Sequence, residues 1–165
     1  MTRDDLIQTA STLKTPPPEA IVEYTALRDR LAAEMNIRLG ARPDLDSLIG
    51  PGNRRMMEDN HRNHARFMES LFRHYSPQVF VETILWVFRT YRAHDFQLTY
   101  WPAQLDTWVE VLRENLSAES FRAIEPFYLW MIVNQPTFAA LTDPLKKALT
   151  TDVCDRPILR AKSAG

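Results

Sequence analysis

The sequence predicts an all-α fold, a single bundle of about six to seven helices. Sixteen of the seventeen aromatic residues lie between Phe67 and Phe138, and that stretch contains no glycine. Apolar residues recur at spacings of three and four along most of the chain, and no segment shows the alternation that is typical of strands. Prolines stand where helices are expected to begin, as at Pro77 and Pro102. Together these observations favour a tightly packed helical core.

The first part of the chain is predicted to be an arm followed by a surface helix. Residues 1–18 form the expected arm, in which residues 4–13 have the pattern of a short amphipathic helix that ends before Pro16. A helix with one buried face should then run from Glu19 to about Leu39, since Gly40 supplies a C-terminal stop.

Residues 41–53 contain Pro43 and the run Gly50-Pro51-Gly52, which predicts a connector. A long helix should follow from about Asn53 to His74, and two histidines, His61 and His64, fall on its apolar face. The next helix is expected to run from Pro77 to about His94. Its sequence leaves almost no polar side, so we expect it to be central in the bundle.

A further helix is predicted from Pro102 to about Leu116, and Ser117 is expected to cap the one after it. Pro126 should kink or split that last long helix near Glu125. A short terminal helix is expected after Thr142 or Asp143. The domain organisation is thus the arm, a single helical domain over residues 19–151, and a flexible tail over residues 152–165.

Composition excludes several classes of function. The chain has 165 residues with 20 basic and 21 acidic side chains, so it lacks the positive field that nucleic acid binding usually needs. No apolar run approaches the length that spans a membrane. The single cysteine, Cys154, cannot form an internal disulfide, and with no leader segment this predicts a cytoplasmic protein.

The same composition argues against enzymatic function. The four glycines do not form a phosphate loop or a dinucleotide fingerprint. There is no Gly-x-Ser-x-Gly turn, and a lone cysteine without a positioned base is a poor nucleophile. We therefore expect a protein that is not an enzyme.

The run from Phe72 to Phe80, which reads Phe-Arg-His-Tyr-Ser-Pro-Gln-Val-Phe, precedes a long apolar helix. It resembles the junction between the sixth and seventh helices of globin-coupled sensors and of the non-haem N-terminal domains of RsbR-type stressosome regulators. The resemblance covers roughly residues 55–135 by helix order. Aligning Pro77 and Phe80 with the haem sensors places Ser70 where they have the iron-binding histidine. The resemblance therefore implies a haemless, globin-like sensory or regulatory domain that acts through a small ligand or a protein partner.

An alternative function comes from Glu58, His61 and His64, which share one face of a helix at spacings that suit a metal ion. In this alternative the chain binds haem or a transition metal such as iron or zinc, with Glu82 as a further ligand, and is an oxidoreductase. A core role for both histidines, with their nitrogens hydrogen-bonded, is the simpler interpretation. The preferred prediction has no cofactor.

Glu82 interrupts an otherwise apolar helix, and we expect it to pair with an arginine of the helix before it. The aromatic residues are expected to be mainly core. We also expect a small apolar ligand pocket, and a homodimer or another protein partner. The candidate pocket residues are His64, Met68, Glu82, Trp86, Tyr91, Trp108 and Tyr128.

Overall fold

The computed structural model describes residues 1–143. These residues form seven helices and no strand, which confirms the predicted all-α bundle. The helices are α1 (Arg3–Ala10), α2 (Pro18–Gly40), α3 (Leu45–Ile49), α4 (Arg54–Arg73), α5 (Pro77–Arg92), α6 (Tyr100–Asn115) and α7 (Ala118–Leu141). The terminal helix predicted after Thr142 and the predicted tail lie outside the described residues.

Helix α2 is the centre of the bundle, because it packs against α4, α6 and α7. Tyr24, Leu31, Met35 and Leu39 of α2 are completely buried. The opposite side of α2 is exposed, as at Val22 and Ile37, so the predicted surface helix with one buried face is confirmed.

Helix α1 packs against α5 and α7 instead of extending away from the bundle as an arm. Leu6 and Ala10 are completely buried. Thr2 and Asp5 form a capping box at the start of the helix, which satisfies two backbone N–H groups that have no helical partner. The hydroxyl of Tyr75 donates to the carbonyl of Ala10 and so fixes the end of α1.

Helix α5 lies at the edge of the bundle, which corrects the prediction that it is central. It packs mainly against α1 and α7, and its outer face carries the apolar residues Val79 and Trp86. Ser76 caps α5 by accepting from the backbone N–H of Val79, and Pro77 occupies the first turn, as the sequence predicted.

The connector contains α3 and is fixed to the loop after α5. The backbone N–H of Gln97 donates to the carbonyl of Leu48 at 2.8 Å, and the side chain of Asn53 donates to the carbonyl of His94 at 2.6 Å. Gly50 has a positive φ of 77°, and a Cβ atom there would lie 3.0 Å from the Cβ of Asp95. The close approach of the two loops therefore needs glycine at this position.

Helix α7 is continuous from Ala118 to Leu141, so of the predicted kink or split near Glu125 the split is absent. Pro126 and Pro136 both lie on its exposed face. The carbonyl groups that lose a helical donor at these prolines therefore face outward and not into the core. Among the helices of residues 1–143, none is both long enough and apolar enough to cross a membrane.

Candidate functional site

A cavity of about 160 Å³ lies between α4 and α5, and residues of α6 and α7 close its inner side. Its mouth is at the surface, beside the exposed residues Asn63 and Trp86. No described lining residue is charged at neutral pH. The lining consists of Asn60, Asn63, His64, Phe67, Met68, Thr83, Ile84, Trp86, Val87, Phe88, Tyr91, Trp101, Gln104, Leu105, Met131 and Phe138.

Helical geometry explains how α4 forms its wall of the cavity. Asn60, His64, Phe67 and Met68 recur at spacings of three and four and therefore share one face. On the other wall, Phe88 of α5 stacks on Trp101 of α6 with ring centroids 4.3 Å apart. This stacking holds α5 and α6 together at the inner side of the cavity.

Two polar lining residues hydrogen-bond with each other: the side-chain amide of Gln104 donates to Oδ1 of Asn60 at 2.7 Å. Burial raises the pKa of Tyr91 above its usual value, so its hydroxyl stays protonated. These groups form a neutral polar patch in a mostly apolar cavity.

His64 links the cavity to the core. Its Nε2 atom lies 3.1 Å from the hydroxyl of Tyr128, and its ring packs at 4.9 Å from that of Trp108. Burial lowers the pKa of His64 to about 4. The imidazole is therefore neutral at physiological pH.

His61 is completely buried behind the cavity, and both of its ring nitrogens are occupied. Nδ1 lies 2.6 Å from Oδ1 of Asn36, to which it donates, and Nε2 lies 3.3 Å from the hydroxyl of Tyr100, which donates to it. Burial lowers the pKa of His61 to about 3. These bonds match the simpler interpretation of a hydrogen-bonded core histidine.

The alternative metal site is not assembled by the described residues. His61 and His64 face the same side of α4, but within residues 1–143 no group of three His, Cys, Asp or Glu side chains is arranged to hold a metal ion. Glu58 does not join the two histidines in such a group. To bind a metal ion, His61 would have to lose its hydrogen bond with Asn36 or with Tyr100.

The predicted pocket residues are divided by the structure into three groups. His64, Met68, Trp86 and Tyr91 line the cavity. Trp108 and Tyr128 are completely buried behind His64 and support its ring. The remaining candidate, Glu82, is outside the cavity.

Glu82 corrects two sequence predictions. Its side chain is 47% exposed, so it is neither a pocket residue nor a buried carboxylate. It pairs with Arg3 of α1, and not with an arginine of the helix before it. Arg3 and Gln78 lower the pKa of Glu82 by hydrogen bonding to its carboxylate. The partner was missed because residues 1–18 were expected to form an arm.

Sequence analysis did not identify the polar patch or the mouth of the cavity. Asn60 precedes His64 by one helical turn, and this spacing was a usable signal. Gln104 and Thr83 had no such signal, because only the packing of α5 and α6 brings them to α4. The chain matches no protein-family model, no curated protein and no solved structure.

Proposed function

We propose that this chain is a non-enzymatic regulatory module that binds a small, uncharged ligand in the cavity between α4 and α5. The observation that carries the proposal is a cavity with an open mouth and an uncharged, mostly aromatic and aliphatic lining. Burying a charged ligand there without a partner would be costly, whereas a neutral ring compound gains from the apolar walls.

The volume sets the size of the ligand. An engineered apolar cavity of about 150 Å³ in another protein holds benzene, so a ligand of about six to eight heavy atoms suits this one. Such a volume is too small for haem or a nucleotide. This supports the haemless form of the predicted function.

Helix α7 connects the cavity with the surface at which a partner would bind, so it is the element through which a bound ligand would affect the partner. Met131 and Phe138 line the cavity from its inner face, while Leu129 and Val133 are exposed on its outer face. We place the partner surface on that outer face, with a second copy of the chain as the partner. The resemblance at residues 72–80 supports a globin-like sensory module, as an analogy of fold.

Toluene is a suitable first probe, and its binding is measured as a rise in Tm by differential scanning calorimetry. A ligand that binds only the folded state raises Tm as its concentration exceeds Kd, and a rise of a few degrees is expected near 100 Kd. In Val87→Phe, a larger side chain at the half-buried lining position fills the cavity, so the rise should disappear.

Val79→Phe is the matched control, because Val79 lies on the same helix but is exposed and outside the cavity. It should keep the full rise in Tm. A second measurement on the unchanged protein is the set of methyl NMR shifts, which toluene should move at Ile84 and Met131. If toluene changes neither Tm nor these methyl signals, the proposed binding function is wrong.

A further inference from the structure

Two buried amide side chains of the cavity lining are joined by one hydrogen bond, which leaves part of each amide unused. Gln104 is 3% exposed and Asn60 is 5% exposed, and both line the cavity. The bond from Nε2 of Gln104 to Oδ1 of Asn60 uses one nitrogen and one oxygen. Oε1 of Gln104 has no hydrogen-bond partner within residues 1–143. Nδ2 of Asn60 carries two N–H donors, and a contact with the hydroxyl of Tyr91 would use only one of them.

The unused oxygen and nitrogen are open to the cavity. Among the described residues, the polar side-chain atoms that are closed off from solvent and lack a partner are Nε1 of Trp101, Nε1 of Trp108 and Nε2 of Gln135. Oε1 of Gln104 lacks a partner and is not one of these atoms, so it borders open space. Because Gln104 is buried from the outside and lines the cavity, that space is the cavity. The same holds for Nδ2 of Asn60.

The amide pair therefore presents an acceptor and a donor side by side. Each unused atom belongs to the same planar amide group as an atom of the hydrogen bond, so the two are neighbours. Exchanging oxygen and nitrogen in both amides keeps a bond between them and again leaves one acceptor and one donor. The pattern thus depends on the two residue types and not on the placement of a proton. Asn63 also carries both groups, but it is exposed, so water competes for them.

We propose that the cavity selects a small cyclic amide, such as a lactam or a pyridone, in which N–H and C=O are on adjacent ring atoms. The ring N–H donates to Oε1 of Gln104, and the ring carbonyl accepts from Nδ2 of Asn60. The aliphatic and aromatic walls bury the rest of the ring. This inference rests on the proposed binding function and adds the ligand class and the two residues that select it.

The probes are 2-pyridone, 4-pyridone and toluene, and isothermal titration calorimetry measures their dissociation constants. All three have the same number of heavy atoms. The two pyridones are isomers, but N–H and C=O are adjacent only in 2-pyridone. Because only this isomer can make both hydrogen bonds at once, it should bind at least about tenfold more tightly than 4-pyridone. Equal binding of the two isomers would overturn the proposed selectivity.

Gln104→Met keeps the length of the side chain but removes its amide. In this variant the affinity for 2-pyridone should fall at least about tenfold, whereas toluene should bind at least as tightly as before, since methionine adds apolar surface to the lining. Gln135→Met is the matched control, because it makes the same substitution on α7 at a residue outside the cavity, and it should leave both affinities unchanged. A 2-pyridone affinity that Gln104→Met does not lower would contradict the proposal.

A second measurement needs no variant and covers the case in which Gln104→Met does not fold. In ¹H–¹⁵N spectra of the side-chain amides, 2-pyridone should shift one amide proton of the Asn60–Gln104 pair downfield, as a new hydrogen bond does, and toluene should not. A downfield shift at Asn63 alone would place the polar contact at the mouth and overturn the assignment. If toluene binds but 2-pyridone does not, the selectivity is wrong and the binding function stands. If none of the three probes binds, both are wrong.

Discussion

His61 and His64 lie one helical turn apart on α4, and the protein holds both rings uncharged. Asn36 and Tyr100 bind the two nitrogens of His61, and Tyr128 binds His64. None of these partners is charged, so nothing offsets the cost of burying an imidazolium ion. Both histidines therefore favour the neutral form, and protonation must oppose folding.

The first prediction is that stability falls as the pH is lowered from 6.5 to 5. The folded pKa values are about 3 for His61 and about 4 for His64, below the ordinary 6.5. In this range the unfolded chain binds protons that the folded chain does not, so the free energy of unfolding decreases. At pH 5 the loss is about 2 kcal/mol per histidine. Urea denaturation at a series of pH values measures it.

His61→Gln removes one of the two titrating groups, so the pH-dependent loss should be about halved. His94→Gln is the control, since His94 is exposed at the start of the loop after α5 and is not one of the two buried histidines, and it should leave the slope as it is. The interval above pH 5 avoids the carboxylates, which titrate at lower pH. A slope that His61→Gln leaves unchanged would contradict the assignment of a neutral buried imidazole.

At the scale of elements, the start of α7 depends on a carboxylate from a different helix. Glu23 of α2 accepts from the backbone N–H of Ser117 at 2.6 Å, from the hydroxyl of Ser117 at 2.7 Å and from the hydroxyl of Ser120. Ser117 in turn caps α7 by accepting from the N–H of Ser120. A negative charge at a helix N-terminus is favourable, so Glu23 both caps α7 and joins it to α2.

The second prediction is that Glu23→Gln lowers the free energy of unfolding by about 1 kcal/mol at pH 7, because the neutral amide offers one acceptor oxygen and no charge. The hydrogen bond from Ser120 is the main cause of the lowered pKa of Glu23. Its stabilising effect is therefore present above the ordinary glutamate pKa and is lost as the pH falls further.

The difference between Glu23→Gln and the unchanged protein should accordingly shrink below about pH 4. Glu110→Gln serves as the matched control, since Glu110 is exposed on α6, and it should alter stability by less than about 0.5 kcal/mol. Equal effects of the two substitutions would show that the carboxylate of Glu23 does not cap α7.

Most helices could be predicted from the sequence because local signals mark their ends. Pro77 and Ser117 begin helices where expected, and Gly40 ends α2 as predicted. The depth of each helix could not be predicted in the same way. Trp86 belongs to a helix that the sequence predicted to be central, yet it is 59% exposed at the mouth of the cavity. Apolar residues mark a core and a ligand site alike, and only packing separates them.

The candidate site was predictable where its residues share one helix. His64 and Met68 were identified because they lie one turn apart on α4. Gln104 and Glu82 show the limit of this approach, since their partners, Asn60 and Arg3, are far away in sequence. Contacts of this kind depend on how the helices are arranged in space, and periodicity carries no information about that.

At the scale of the whole molecule, the outer face of α7 from Pro126 onward is unusual because it is exposed and contains no charged residue. No charged residue occurs between Pro126 and Thr142. Val133 on this face is 75% exposed. When two copies of an uncharged face meet around a two-fold axis, no like charges face each other across the interface. A second copy of the chain is therefore a suitable partner. The exposed residues of this uncharged part of α7 are Pro126, Leu129, Val133, Pro136 and Ala140.

The third prediction is therefore that the chain forms a homodimer through this face and that Val133→Glu separates it into monomers. A carboxylate at the centre of an apolar interface must be desolvated without a partner, and the two-fold axis would bring two of them close together. Sedimentation equilibrium should show at least a tenfold weaker dimer for this variant. Val22→Glu is the matched control, because Val22 is similarly exposed but lies on α2, and its dimer should be unchanged.

Helix α7 forms both this face and part of the cavity, so toluene should change the dimer dissociation constant of the unchanged protein. By linkage, dimerisation then changes the affinity for toluene by the same factor. The effect should be absent in Val87→Phe, whose cavity is filled. A monomeric protein at all concentrations would contradict the proposed partner. A dimer insensitive to both Val133→Glu and toluene would place the interface elsewhere and leave α7 without a regulatory role.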